Sequence, residues 1–306
     1  YGVFAVVLGG LVSAAVFATT FLTRREVPYL LQPAESRPFA LTAVFTEVGL
    51  ALHNRNFLMV FLAILCSGAV NGTTTVLTIY MQTYFWGLAP EDLRWVPLAI
   101  IGGIIAFLVV LPLQRRFDKK RLLVVSFLAM ILDGVILVSL RFLDALPDNG
   151  DPWLLSCVIG AAASSAFFGT LLGIVAASMI ADTLDHQELN TGLRQEGVFA
   201  SALSFSGKVT SGVGVFCAGL LLEFGLGFAA GERPATIAPD LVTRLGIMAG
   251  ILVPLCNLIP VWIASRYHLS KDEHARIQAE LQARRITQTH HTHEHPAERP
   301  GYGSIP

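Results

Sequence analysis

Residues 95–121 read Trp95-Val-Pro-Leu-Ala-Ile-Ile-Gly-Gly-Ile-Ile-Ala-Phe-Leu-Val-Val-Leu-Pro-Leu113, then Gln114-Arg-Arg-Phe-Asp-Lys-Lys-Arg121. The first part carries no charge and is close to the roughly 20 residues that a helix needs to cross hydrocarbon. The basic run behind it is where such a helix would return to water. Six further apolar segments lie at 1–22, 57–85, 121–143, 153–181, 198–223 and 241–265. Short polar joints separate them, among them Ala89-Pro-Glu-Asp92 and Pro147-Asp-Asn-Gly-Asp-Pro152. None alternates apolar with polar, so a barrel is not indicated. A helix is the one single-segment structure that satisfies its own backbone in lipid. Composition agrees: 54% hydrophobic against 14% charged is more apolar surface than a soluble chain of 306 residues has use for. The expected class is an all-α integral membrane protein.

The net charge of −1 conceals a segregated pattern. Arg24, Arg25, Arg37 and Arg55 follow the first span, Arg115 to Arg121 follow the third, and Arg194 follows the fifth. Six more basic residues lie beyond residue 265. The opposite joints hold only Arg94, Arg141, Arg233 and Arg244. Basic residues gather on the cytoplasmic side, so the C-terminus is expected there, in an inner (plasma) membrane crossed several times. The chain begins at Tyr1 inside an apolar stretch without an initiator Met, which suggests a helix entered partway. The expected organisation is a truncated helix at 1–22, a cytoplasmic linker at 23–56, a six-helix bundle at 57–265 and a cytoplasmic disordered tail at 266–306. Within the linker, Leu41, Val44, Phe45, Val48 and Leu52 share one face, as in a helix lying along the membrane surface.

Lys208 is the sharpest polar signal. It stands in Ser201-Ala-Leu-Ser-Phe-Ser-Gly-Lys-Val-Thr-Ser-Gly212, deep in the sixth span. An unpaired ammonium at the bilayer centre costs about 2.5–3.5 kcal/mol on insertion scales, so it should face a cavity or a partner. Ser204 lies one turn away on the same face, and Gly207, Gly212 and Gly214 would allow a neighbouring helix to approach closely. Asp133, in Met130-Ile-Leu-Asp-Gly-Val-Ile136, is a second charge at this depth, with a local structural role ahead of one as proton carrier or counter-ion. Asn71, Thr75, Thr78 and Gln82 recur at helical spacing and line one face of the second span, either as a cavity wall or with the threonines bonded to their own backbone. Asp182, Asp185 and Arg194 belong to an acid-rich joint on an otherwise basic side, where ion pairs with the basic joints would form a gate.

Other signals are plain. The four cysteines sit inside apolar runs and read as small hydrophobes. His290, His291, His293 and His295 belong to a polar tail, read as solvated in preference to metal-binding. There is no phosphate loop, zinc-protease helix or nucleophile elbow, so no catalytic residue, metal site, cofactor or enzyme activity is expected. The basic runs belong to membrane joints, so no nucleic-acid partner is implied either.

The run Met179-Ile-Ala-Asp-Thr-Leu-Asp-His-Gln-Glu188, then Thr191-Gly-Leu-Arg-Gln-Glu-Gly-Val-Phe199 and Lys208, resembles the glycoside–pentoside–hexuronide:cation symporters, the melibiose-permease branch of the major facilitator superfamily. His53-Asn-Arg-Asn-Phe57 is similar to the start of that family's helix seven. The resemblance covers nearly the whole chain. It implies helix six followed by the C-terminal six-helix half, with the N-terminal six-helix half as missing partner. It also implies Lys208 and Ser204 near a solute site, and Asp182, Asp185 and Arg194 as gate residues. The coupling Na+ or H+ would bind mainly in the N-terminal half. Gly173 stands where that branch has a sugar-contacting tryptophan, and Leu203 replaces a polar residue beside Ser204. The function implied is cation- or proton-coupled symport of a sugar or related small solute by alternating access. A lysophospholipid or other amphiphile carrier and a non-transporting membrane scaffold or sensor are the alternatives.

Overall fold

The computed structural model describes residues 2–25, 55–191, 196–227, 238–267 and 276–280. The expected interfacial helix within 23–56, Arg194 and the histidine cluster lie outside these residues. Among the described residues there is no strand, and seven helices are long and apolar enough to cross a membrane. Two units are present, residues 1–43 and 44–306. The first contains α1 (Gly2–Thr23), in which the Thr19, Thr20 and Thr23 hydroxyls donate to carbonyls one turn back, so their polarity is absorbed by the helix itself.

The second unit contains α2 (Arg55–Phe85), α3 (Leu93–Arg116), α4 (Lys119–Phe142), α5 (Pro152–Thr191), α6 (Glu196–Leu220) and α7 (Pro239–Ser265). Local sequence sets their ends. The Asp151 carboxylate accepts from the Trp153 N–H at 2.8 Å, and Pro152 opens α5 where no N–H is needed. Gly87, at φ +60°, closes the π-helical turn Met81–Phe85 at the end of α2. α3 opens with a 3-10 stretch, Leu93–Ala99, around Pro97. α7 carries a π turn at Met248–Leu252, ahead of Pro254, and breaks at Cys256–Asn257, where Pro260 has no N–H for the Cys256 carbonyl. α5 outruns the apolar segment at 153–181 by a further ten residues, because Asp182 to Thr191 contains no Gly or Pro.

Side chains pack into two cores at different depths. One, toward the basic joint at Arg115–Arg121, is built on Phe57, Val60, Leu123, Phe127, Met179 and Tyr267. Ile277, from the stretch expected to be a solvated tail, is buried in it, within a short helical segment at 276–280. The other, toward the opposite end, gathers Leu77, Phe85, Trp86, Val138, Leu154 and Leu245. Helix pairs close on small residues. A Cβ added at Gly214 of α6 would lie 2.6 Å from the Gly72 Cα of α2, and one at Gly102 of α3 would strike the Ala163 carbonyl of α5. Gly207 and Gly212, expected to act likewise, meet nothing within 4 Å. Gly212 is turned well away from Gly214, whereas Gly207 lies nearly two full turns from it at almost the same angle, where no neighbour approaches. Ile101, Ile104, Phe107, Leu108 and Leu111 of α3 stand exposed, a surface that suits acyl chains and not water.

Candidate functional site

Between the two cores lies a cavity of about 810 Å³, walled by α2, α4, α5 and α7 and touched by Leu203 of α6. It exists because its walls are short of side chains: Gly68, Gly134, Gly169, Gly173 and Gly250 all line it. Its polar groups are Ser67, Asn71 and Thr74 of α2, Ser165 of α5 and Asn257 of α7, set among Met81, Trp86, Met130 and Leu172. No charged side chain is among the lining residues. Such a space can take a ligand that combines hydroxyl-type polarity with some apolar surface.

Of the α2 stripe, Asn71 lines the cavity. Thr75 donates to the Asn71 carbonyl at 2.8 Å and Thr78 to the Thr74 carbonyl at 2.7 Å, so both hydroxyl protons are spent on the helix. Asn71, Thr75 and Thr78 are exposed and Gln82 is half-buried; Thr75, Thr78 and Gln82 continue from Asn71 as a polar strip beside the cavity and are not among its lining residues. Ser165 and Asn257 were not anticipated. The signal for each was a polar residue in the middle of an apolar run.

α6 has three distinct faces. Ser206, Thr210 and Gly214 are buried against α2; a Cβ added at Gly68 would lie 2.6 Å from the Thr210 Oγ1, and Thr73 donates to the Gly214 carbonyl at 3.1 Å. Phe205, Val209, Val213 and Phe216 form an exposed apolar face. Ser201, Ser204, Lys208, Ser211, Gly212 and Gly219 form a third, exposed and mostly small or polar, with Val215 as its one large apolar residue. Lys208 is the middle residue of Glu196–Leu220, with about 18 Å of helix on either side. It is two residues, or about 200° of helical turn, from both Ser206 and Thr210. It therefore points away from the bundle, does not line the cavity, and has no ion-pair partner among the described residues. Ser204 shares its face.

At the basic end Lys119 of α4 grips Asp182 of α5, with Nζ 2.8 and 2.6 Å from the two carboxylate oxygens. Asp182 is thus paired with the basic joint, within one bundle. Lys120 donates to the Tyr267 carbonyl at 2.9 Å, which ties the end of α7 to α4. Asp185 is half-buried on α5. At the far end Arg141 donates to the Pro147 carbonyl and to Asn149 Oδ1, and the Asn149 amide reaches the Phe85 carbonyl.

A bundle of membrane-crossing helices around a mid-depth cavity, with a lone ammonium at the centre of one helix, has the form of a carrier. The sequence matches the family model described as MFS/sugar transport protein over residues 1–271, and the chain belongs to that family. It is 30% identical over 248 residues to the uncharacterized symporter sll1374 of Synechocystis, covering 78% of this chain and 42% of that protein. It is 27% identical over 281 residues to the uncharacterized symporter YnaJ of Bacillus subtilis, with 90% and 55% covered. A Salmonella typhimurium protein provisionally named a sulfoquinovose importer is 26% identical over 242 residues, with 76% and 46% covered. The chain spans about half the length of these relatives. The family is one of multi-pass membrane transporters, not of enzymes.

Proposed function

We propose that this chain is helix six and the C-terminal six-helix half of a symporter that moves a sugar or related small hydroxylated solute, coupled to Na+ or H+. In the intact carrier the two halves would rock about a midplane site, with the basic joints and the C-terminus in the cytoplasm of an inner-membrane protein. Names of the relatives, two of them symporters, support this reading over an amphiphile carrier. The observation that carries it is the third face of α6. Lys208 lies at bilayer depth on a face that is small or polar except for Val215 and is set beside the apolar face of Phe205, Val209, Val213 and Phe216, which suits contact with a hydrated passage and with the other half better than contact with lipid. Asn71 and the cavity beside it supply neutral hydrogen-bonding groups for a solute. Lys208 and Ser204 would act from the facing side of the passage, and Asp182, Asp185 and Arg194 near its cytoplasmic mouth.

The test is ion-gradient-driven uptake of a panel of labelled sugars by the full-length protein in proteoliposomes. Wild-type uptake should require the gradient, and Lys208→Ala should abolish the coupled component. Uptake untouched by Lys208→Ala would remove this residue from the mechanism, and uptake indifferent to any ion gradient would remove symport.

A further inference from the structure

Asp133 is a carboxyl held inside the bundle with no basic partner among the described residues. About 21 Å of helix separates it from Lys119 and about 14 Å from Phe142, so it sits well within hydrocarbon depth. It is half-buried, the Ser165 hydroxyl of α5 donates to its Oδ2, and the Ser164 hydroxyl bonds to the same carboxyl. Ser165 also lines the cavity, as do Met130 and Gly134 on the Asp133 helix itself. One hydroxyl therefore connects the carboxyl to the open space.

An ionised carboxylate at this depth is costly unless a cation or strong donors offset it. The nearest base on α4 is Arg141, about 12 Å outward, and its guanidinium is engaged with Pro147 and Asn149. The helices packed on α4 bring none. α5 has no charged residue between Asp151 and Asp182, α7 has none between Arg244 and Arg266, and α3 has none between Arg94 and Arg115. Their only other titratable side chains in those stretches are Cys157 and Cys256, and α2 carries Cys66, Tyr80 and Tyr84 across the cavity, with Arg55 at its far basic end. A permanent counter-ion would fix Asp133 as the anion. Hydroxyl partners do not: the serine donates to a carboxylate and accepts from a carboxylic acid by rotating its own hydrogen. Two serines and one carboxyl also fall short of the 6–8 oxygens that a divalent cation collects. A proton is the ligand this arrangement can both take and release.

From the juxtaposition of a half-buried carboxyl, a shared serine and a cavity, we infer that Asp133 and Ser165 form a proton-binding site of this bundle, loaded from the cavity. A hydronium ion from solvent delivers one proton to a carboxylate oxygen of Asp133 and leaves as water. The resulting acid donates to the Ser165 oxygen, whose hydrogen turns away, and release runs the same exchange backward. The site is independent of Lys208 and does not rest on the transport reading.

The experiment is infrared difference spectroscopy of the full-length protein in lipid vesicles between acid and alkaline pH. A protonated-carboxyl C=O stretch should appear in wild type, disappear in Asp133→Asn, and shift in Asp133→Glu. Ser165→Ala should keep the band and move it to higher frequency, as the acid loses an acceptor. A wild-type band that survives Asp133→Asn unchanged overturns the assignment of Asp133. A band unmoved by Ser165→Ala overturns the role of Ser165. If Asp133→Asn does not fold, Asp133→Glu and Ser165→Ala decide by the same criteria. No uptake is read, so a failed transport proposal would leave this result standing.

Discussion

The α2–α6 contact is a place where a single methyl group should do clear damage. A Cβ at position 214 would fall 2.6 Å from the Gly72 Cα, 2.7 Å from the Ala69 carbonyl oxygen and 2.8 Å from the Gly72 carbonyl carbon. These neighbours are backbone, with no flexible end to move aside. Ordinary carbon contacts lie at about 3.5–4.0 Å, so Gly214→Ala requires the helices to part by about 1 Å. Overpacking of this kind costs ~1–3 kcal/mol. The Thr73 hydroxyl, shared between the Gly214 and Ala69 carbonyls at 3.1 and 3.0 Å, would lose its interhelical acceptor, worth ~0.6 kcal/mol more in a membrane bundle. A total of about 2–4 kcal/mol follows. Thermal denaturation of the full-length protein in detergent, followed by loss of the monodisperse chromatographic peak, should show a clear drop in midpoint for Gly214→Ala. Val213→Leu adds similar bulk one residue away on the exposed apolar face and should leave the midpoint in place. Equal midpoints for the two variants would refute the close α2–α6 packing.

Lys119→Ala and Asp182→Asn should each destabilise the bundle, and the double variant should cost less than their sum by ~0.5–3 kcal/mol in a thermal-denaturation cycle, since the pair is largely enclosed. Strict additivity would mean that the two charges do not interact. Asn71→Leu should weaken solute binding about 2–12-fold, the worth of one neutral hydrogen bond at 0.5–1.5 kcal/mol, in a titration of the full-length protein. Thr75→Val and Thr78→Val should change affinity little, because those hydroxyls donate to carbonyls of their own helix. A larger loss from either valine than from Asn71→Leu would reverse the roles assigned along α2.

What could be read from sequence followed from the solvent. Lipid demands continuous apolar helices, so the segment from Trp95 to Leu113 and its fellows announced themselves by length alone. Helical spacing also placed Asn71 with Thr75 and Thr78, and charge segregation anticipated that an acid such as Asp182 would meet the basic joint. Which lysine it meets was not legible, because that depends on how α4 and α5 are set against each other. The same limit applied to glycines. Gly207, Gly212 and Gly214 look alike in sequence; rotation about the axis of α6 sets Gly212 apart, but Gly207 shares the angle of Gly214, and only the place along α6 where α2 comes close distinguishes those two. Cavities are written in absent side chains, so Gly134 and Gly169 carried no signal until their neighbours were in place. Asp133 stood out by its charge, whereas its link to the cavity through Ser165 needed two helices in register.

The central claim is that the Lys208 face of α6 borders water while the Phe216 face borders lipid. In the full-length protein with Cys66, Cys157, Cys217 and Cys256 replaced, Lys208→Cys and Phe216→Cys can be compared for labelling by a membrane-impermeant cationic thiosulfonate in sealed vesicles. Rapid modification at position 208, slowed by bound solute, with none at position 216, is the predicted result. Modification at 208 no faster than at 216 would contradict the account.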